Sequence, residues 1–201
     1  KIMSNVNAIK IDLRGRGKYK PATNYTINDV RQVLQQKIIE ENSKVLQSNI
    51  DSDYLSSIKY DPNKINTISL FSGCGGLDLG FELAGLEAVI GKEMAEKAFQ
   101  SKVIFDKYRQ ESIFHTIYSN DLFKEANESY KANFPDVFQH GIDIRKVRNF
   151  PKADLVVGGF PCPGFSEAGP RLIDDERNFL YIHFIRCITQ AEPDVFVAEN
   201  V

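Results

Sequence analysis

The sequence contains few cysteines and no apolar run that approaches the length needed to span a membrane. Its three cysteines, Cys74, Cys162 and Cys187, are an odd number and have no spacing typical of a metal site. They therefore indicate a reducing compartment rather than a disulfide framework, and no metal site is expected. The first residues also lack the apolar core of a signal peptide. Together these absences predict a cytoplasmic protein that does not enter a membrane.

A strong positive charge is also lacking, since the formal net charge is only -2. The charge is unevenly distributed, with +4 over residues 1–66 and -6 over residues 67–201. Residues 10–20 form a basic, glycine-containing arm that could contact phosphates, although solvated tails of this composition are common. Charge alone therefore does not identify a nucleic-acid-binding protein.

The 201 residues, of which 42% are hydrophobic and 26% charged, are enough for one good core with a small appendage. We divide the chain into residues 1–66, comprising the basic arm, a helix and a linker, and residues 67–201, the main domain. Thr26 with Asp29 predicts the start of a helix over about 27–47. Its apolar positions recur at helical spacing and are interpreted as a packing face: Ile27, Val30, Leu34 and Ile38.

The main domain begins with a short apolar strand over residues 67–71, followed at once by the glycine-rich turn 72–76 and an apolar helix. Strand, glycine turn and helix bring the backbone close to an adenosine-bearing cofactor in α/β proteins. Asp78 stands where the dinucleotide motif requires its third glycine, which counts against NAD or FAD. Four more strands are predicted within residues 114–121, 137–144, 155–157 and 194–201, with helices between them. This alternation predicts an α/β, Rossmann-like fold with a parallel sheet.

Acidic residues and one cysteine follow these strands. Asp121 could accept hydrogen bonds from ribose hydroxyls and Asp143 could meet an adenine amino group, although surface loops also often contain Asp. Cys162 lies between two prolines, on a stiff turn at the end of a strand. Such a thiol is a candidate nucleophile, or else a small buried hydrophobe. The polar segment 167–176 is predicted to be a mobile loop, and Cys187 is expected to pack within a helix.

Three motifs, in order, resemble those of the C5-cytosine DNA methyltransferases: Phe71-Ser-Gly-Cys-Gly-Gly76, Phe160-Pro-Cys-Pro-Gly-Phe-Ser166 and Glu199-Asn-Val201. Asn120-Asp121 and Asp143-Ile144 resemble cofactor-binding segments of the same family. The resemblance covers about residues 67–201. It implies an incomplete S-adenosylmethionine-dependent methyltransferase sheet, S-adenosylmethionine as cofactor with S-adenosylhomocysteine as product, and double-stranded DNA as partner. It also implies a bacterial restriction-modification enzyme associated with the nucleoid.

The resemblance carries site roles onto matching positions. Cys162 is the implied nucleophile, and Glu199 is implied to grip the cytosine edge. The implied cofactor-binding residues are Phe71, Gly73, Cys74, Gly75, Gly76, Leu77, Asp121, Asp143, Ile144 and Pro161. The implied substrate-binding residues are Phe160, Pro161, Ser166, Asn200 and Val201.

The chemistry explains these residue types. Cytosine C5 is a poor nucleophile until a thiolate adds at C6, which makes C5 an enamine-like carbon able to accept a methyl group. Glu199, protonated or sharing a proton at N3, would disperse the charge that builds on the ring. Because the ring cannot be reached inside a duplex, the base must be flipped out.

The chain departs from the family pattern in two ways. Pro163 stands where the family usually has Gln, and Asp121 where it more often has Glu. The family's arginine-bearing motif, target-recognition region and final helix do not follow Val201. We therefore expect a shortened chain, the ordered part of a longer protein, or one subunit of a split enzyme. We expect such a fragment alone to bind S-adenosylmethionine weakly and to methylate DNA poorly or not at all.

Two other functions remain open from the sequence. One is a tRNA cytosine-5 methyltransferase of the same family, which would share the chemistry. The other is a non-catalytic subunit that binds DNA or a partner. The presence of both Cys162 and Glu199 argues against the hypothesis of a non-catalytic subunit.

Overall fold

Five parallel β-strands form the centre of this computed structural model, which describes residues 26–46, 53–161 and 176–200. In chain order they are β1 (Ile65–Leu70), β2 (Phe114–Asn120), β3 (Phe138–His140), β4 (Leu155–Gly159) and β5 (Val195–Glu199). Across the sheet the order is β3-β2-β1-β4-β5. The strand order therefore reverses between β1 and β4. The carboxyl ends at such a reversal border the crevice in which open α/β sheets bind ligands.

The helices are α1 (Ile27–Leu46), α2 (Gly76–Ile90), α3 (Lys92–Gln100), α4 (Lys102–Tyr108), α5 (Lys124–Asn133) and α6 (Tyr181–Ala191). Short 3₁₀ turns lie at Asp53–Ser57, Arg109–Glu111, Ile144–Lys146 and Glu176–Phe179. None of the helices in the described ranges is long and apolar enough to cross a bilayer. The parallel α/β architecture and the order of its strands and helices confirm the Rossmann-like fold that the sequence predicts.

The main cluster of buried apolar residues packs against the central strands. Ile68 and Leu70 of β1, Val156 of β4 and Tyr118 of β2 are fully buried. Cys187 of α6 is buried in the same core, and burial raises the pKa of its thiol well above the ordinary value. The prediction that Cys187 packs rather than reacts is therefore confirmed.

The third strand is shorter than predicted. It ends at His140 because the chain turns at Gly141, and the Asp143 side chain then accepts a hydrogen bond from the Arg145 backbone N–H, which starts a 3₁₀ turn. The long crossover between β1 and β2 contains three helices, α2, α3 and α4. The last two are separated at Ser101, whose hydroxyl accepts a hydrogen bond from the backbone N–H of Ile104 in α4.

Helix α1 forms over the predicted residues, and Thr26 and Asp29 make the reciprocal bonds of a capping box. The expectation that its regular apolar stripe is a packing face is wrong for the described residues. All four members of that stripe are at least 40% exposed: Ile27, Val30, Leu34 and Ile38. The helix instead buries Glu41 and Val45 near its end, because Glu41 has a polar partner in the body of the protein. The basic arm 10–20 lies outside the described residues.

Candidate functional site

The turn after β1 is built from backbone conformations that most residues avoid. Phe71, Gly73 and Gly75 have φ values of 53°, 55° and 91°. The Ser72 N–H donates to the carbonyl of Asn120 at 3.1 Å, which joins the turn to the end of β2. Phe71 is not a glycine, so its left-handed conformation carries strain of the kind that clusters at ligand-binding sites.

The two left-handed glycines meet different surroundings. A Cβ built on Gly75 would lie 2.3 Å from the Phe134 ring, so this position needs glycine for packing as well as for its backbone conformation. A Cβ built on Gly73 would meet no atom within 4 Å. Gly73 therefore borders open space, and Gly75 fastens the turn against α5.

Asp121 connects the ends of β1 and β2. Its Oδ2 accepts a hydrogen bond from the Gly73 N–H at 2.9 Å, and its Oδ1 accepts one from the Phe123 N–H at 2.8 Å. The residue is 8% exposed, so this carboxylate is an integral part of the glycine turn. Asp121 therefore lies where the sequence predicts a cofactor-binding acid, and it also holds the turn's backbone.

Asp143 lies after the end of β3, directly before the 3₁₀ turn Ile144–Lys146. It accepts hydrogen bonds from the backbone and guanidinium of Arg145, with the closest Nη2–Oδ2 distance at 2.6 Å. Burial opposes ionisation of Asp143, but these hydrogen bonds outweigh it and hold its pKa below the usual range. The Asn120 amide donates to the carbonyls of His140 and Ile142, which fixes the approach to Asp143. Ile144 is buried in the core.

The ends of β4 and β5 are adjacent. Gly159 pairs with Glu199, and a Cβ on Gly159 would lie 2.8 Å from Glu199 Oε2. The Asn200 amide donates to the Phe160 carbonyl at 3.3 Å. Residues from the second and third sequence motifs, about 40 positions apart, are thus brought together at one point of the sheet edge. Glu199 is exposed among the described residues.

Three predicted site residues lie outside the described ranges: Cys162, Ser166 and Val201. The description of β4 and its continuation ends at Pro161, which is exposed and directly precedes Cys162. Gly159, three positions before Cys162, is the residue that pairs with Glu199. The predicted loop at 167–176 is likewise outside the described residues except for its last member.

The remaining predicted cofactor residues of this region lie in the glycine turn or directly after it. Cys74 and Leu77 are exposed, and a Cβ built on Gly76 would meet nothing within 4 Å. Cys74, Gly75 and Gly76 also border a largely apolar cleft of about 370 Å³ between α2, α3, α4 and α5. Another cleft, of about 240 Å³, lies at the amino ends of β1 and β2 and contains none of the predicted site residues.

Sequence reasoning missed the role of Asp78. This residue is 1% exposed, and its carboxylate accepts hydrogen bonds from the hydroxyls of Ser69, Thr116 and Tyr130 at 2.8, 3.2 and 2.9 Å. Burial raises its pKa despite these hydrogen bonds. In dinucleotide-binding turns a glycine here allows close helix–strand packing. In this chain a carboxylate makes the link from α2 to β1, β2 and α5 instead.

A parallel sheet of this strand order, with a glycine turn after β1 and acids after β2 and β3, defines a Rossmann-like α/β fold. Comparison with known sequences defines the family more closely. The family described as C-5 cytosine-specific DNA methylase matches residues 65–201, and the chain belongs to this family.

Curated relatives extend the match to most of the chain. It is 63% identical to Type II methyltransferase M.BsuRI of Bacillus subtilis over 96% of this chain and 44% of that protein. It is 57% identical to M.BspRI of Lysinibacillus sphaericus over 96% of this chain and 46% of that protein. It is 41% identical to M.NgoPII of Neisseria gonorrhoeae over 73% of this chain and 35% of that protein. The chain therefore spans less than half the length of these relatives. The proteins that it resembles are Type II methyltransferases, the type found in restriction-modification systems.

Proposed function

We propose that this chain carries the cofactor-binding and nucleophile-bearing part of an enzyme that methylates C5 of cytosine in double-stranded DNA. The observation that carries the proposal is the junction of β4 and β5. It sets the chain leading into Cys162 beside Glu199, at the same sheet edge as the glycine turn. This edge is where an open α/β sheet binds its ligand. Family membership supplies the reaction class.

The residues at this edge fit S-adenosylmethionine, which supplies an electrophilic methyl group when bound. Gly73 leaves open space at the turn. The Ser72 Oγ is buried and has no hydrogen-bond partner among the described residues, so it is available to a polar group of the cofactor. Asp121 would take the ribose hydroxyls with the lone pairs that its two backbone donors leave free. Asp143 would accept from the adenine amino group.

Two side chains would act on the cytosine. The Cys162 thiolate would attack C6 and form a covalent bond, while Glu199 holds a proton at N3 and so limits the negative charge on the ring. After C5 has accepted the methyl group, loss of the C5 proton would expel the thiolate and restore the aromatic ring. The base must leave the helix to reach both groups, because neither can enter a stacked duplex.

The edge strand β5 carries exposed apolar side chains, which supports a further part of the enzyme that covers them. Val195, Phe196 and Val197 of β5 are 38–58% exposed, which is unusual for apolar residues of a parallel strand. We propose that β5 pairs with a further part of the enzyme, either a carboxy-terminal region or a second subunit. Without that part, Glu199 stays open to water, and we expect weak cofactor binding and little or no methyl transfer.

A methyl-transfer assay tests the proposal. The chain would be incubated with radiolabelled S-adenosylmethionine and either double-stranded DNA or tRNA. The assay would be repeated with a separately produced carboxy-terminal half of M.BsuRI. We expect label in DNA only when both parts are present. Normal turnover by the chain alone would contradict the predicted need for a second part, and label in tRNA instead of DNA would overturn the proposed substrate.

A further inference from the structure

A buried chain of polar side chains joins α1 to the turn that follows β3. Glu41 of α1 and His183 of α6 are 4% and 0% exposed, and His183 Nε2 lies 3.0 Å from Glu41 Oε2. Arg186, one turn further along α6, donates from Nε to His183 Nδ1 at 3.3 Å. The interaction spans 142 positions of sequence, so it is a tertiary link rather than a local helix pair.

The hydrogen-bond donors determine the protonation states of Glu41, His183 and Arg186. The guanidinium of Arg186 can only donate, so the His183 Nδ1 must accept, and the proton of a neutral imidazole lies on Nε2 facing Glu41. Burial lowers the pKa of His183, which favours that neutral form. Burial opposes ionisation of Glu41, but hydrogen bonds from Lys44 and His183 outweigh it and lower the pKa of this carboxyl. His183 is therefore a neutral bridge between a cation and an anion.

Arg186 extends the link to the backbone of the 3₁₀ turn. Its Nη1 donates to the Val147 carbonyl at 2.6 Å, and its Nη2 donates to the Ile144 carbonyl at 2.9 Å. The guanidinium also lies 4.9 Å from the ring centre of Phe150, so both its edge and its face are held. The turn fixed in this way is the one that Asp143 caps.

We propose that Glu41 is a positioning residue for the adenine end of the cofactor site. Through His183 it orients Arg186, and Arg186 holds the carbonyls that set the position of Asp143. This inference rests on the proposed function, because it assigns to α1 a part in presenting Asp143 to the cofactor. Helix α1 precedes residues 65–201, the region that the family match covers. The appendage is thus part of the cofactor-binding half of the protein.

Equilibrium dialysis of the whole chain with S-adenosylhomocysteine tests the inference, using a second ligand in which hydrogen replaces the adenine 6-amino group. We expect Glu41→Ala to weaken binding of S-adenosylhomocysteine about tenfold, a typical coupling between linked sites, while binding of the deaminated ligand changes little. Glu41→Gln keeps an oxygen that can accept from His183 and should retain most of the affinity. Glu40→Ala, which removes a half-buried carboxylate that pairs with Lys37 of the same helix, is the matched control and should bind like the unsubstituted chain.

The outcomes separate this inference from the proposed function. Unchanged affinity in Glu41→Ala, or an equal loss for both ligands, would overturn the positioning role alone. Failure of the unsubstituted chain to bind S-adenosylhomocysteine at any concentration would overturn the proposed function, and the inference with it. If Glu41→Ala does not fold, Arg186→Lys provides the same comparison, since lysine keeps the charge but cannot bond two carbonyls in a fixed fork.

Discussion

The two left-handed glycines of the turn after β1 should respond differently to the same substitution. In Gly75→Ala the new methyl group would lie 2.3 Å from the Phe134 ring, in a residue with φ of 91°. The left-handed conformation costs about 1–2 kcal/mol for an L-residue, and forcing a methyl group into a packed site costs about 1–3 kcal/mol. We therefore expect Gly75→Ala to lower the free energy of unfolding by about 2–5 kcal/mol.

Gly73→Ala is the matched comparison, because its φ of 55° is also left-handed but its methyl group would meet no atom within 4 Å. Only the conformational cost applies, so the loss should be about 1–2 kcal/mol. The same methyl group would project into the proposed cofactor space and weaken binding of S-adenosylhomocysteine. Urea denaturation gives the stabilities, provided that the m-values of the variants agree. Equal destabilisation by the two substitutions would refute the assignment of Gly75 to packing and Gly73 to the site.

Two acids provide further predictions. Because burial raises the pKa of Asp78 above 3.8, its stabilising contribution is full at low pH and is lost as pH rises through its folded value. The stability of the unsubstituted chain relative to Asp78→Asn should therefore fall with rising pH in urea denaturation, and a constant difference would contradict this. Asp121→Asn leaves the N–H of Gly73 or of Phe123 facing an amide donor. We expect this substitution to lower the free energy of unfolding by about 1–3 kcal/mol and to weaken S-adenosylhomocysteine binding. The control Asp136→Asn, at an exposed position, should change neither quantity. Equal stability and equal affinity of the two variants would contradict the role of Asp121.

The sequence was enough to predict the sheet and the positions of its polar ends. Short apolar segments marked β1 and β4, and the glycine turn and acids were placed at one edge because the carboxyl ends of parallel strands share that edge. What could not be predicted depends on contacts between distant residues. The role of Asp78 needs three hydroxyls from β1, β2 and α5 to meet at one carboxylate. No spacing along the chain indicates that meeting.

For helix α1 the sequence predicted a contact that the structure does not show. Its regular apolar stripe predicted a packing face, yet among the described residues the stripe is exposed and the buried contact is polar. Helical periodicity reports which residues share a face, but it does not report what lies opposite that face. Glu41 is buried because His183, 142 positions away, offers a hydrogen-bond partner. A lone glutamate in a charged helix carries no local signal of this kind.

The cysteine after β4 and the acid after β5 are proposed to act on one cytosine. Covalent trapping tests this joint role, with double-stranded DNA containing 5-fluorocytosine, S-adenosylmethionine, and the chain together with its carboxy-terminal complement. The fluorine cannot be lost as the C5 proton is, so the enzyme should stay bonded to C6. We predict an adduct that survives denaturation and is absent in Cys162→Ser. No adduct with the unsubstituted chain, or an adduct that persists in Cys162→Ser, would contradict the account.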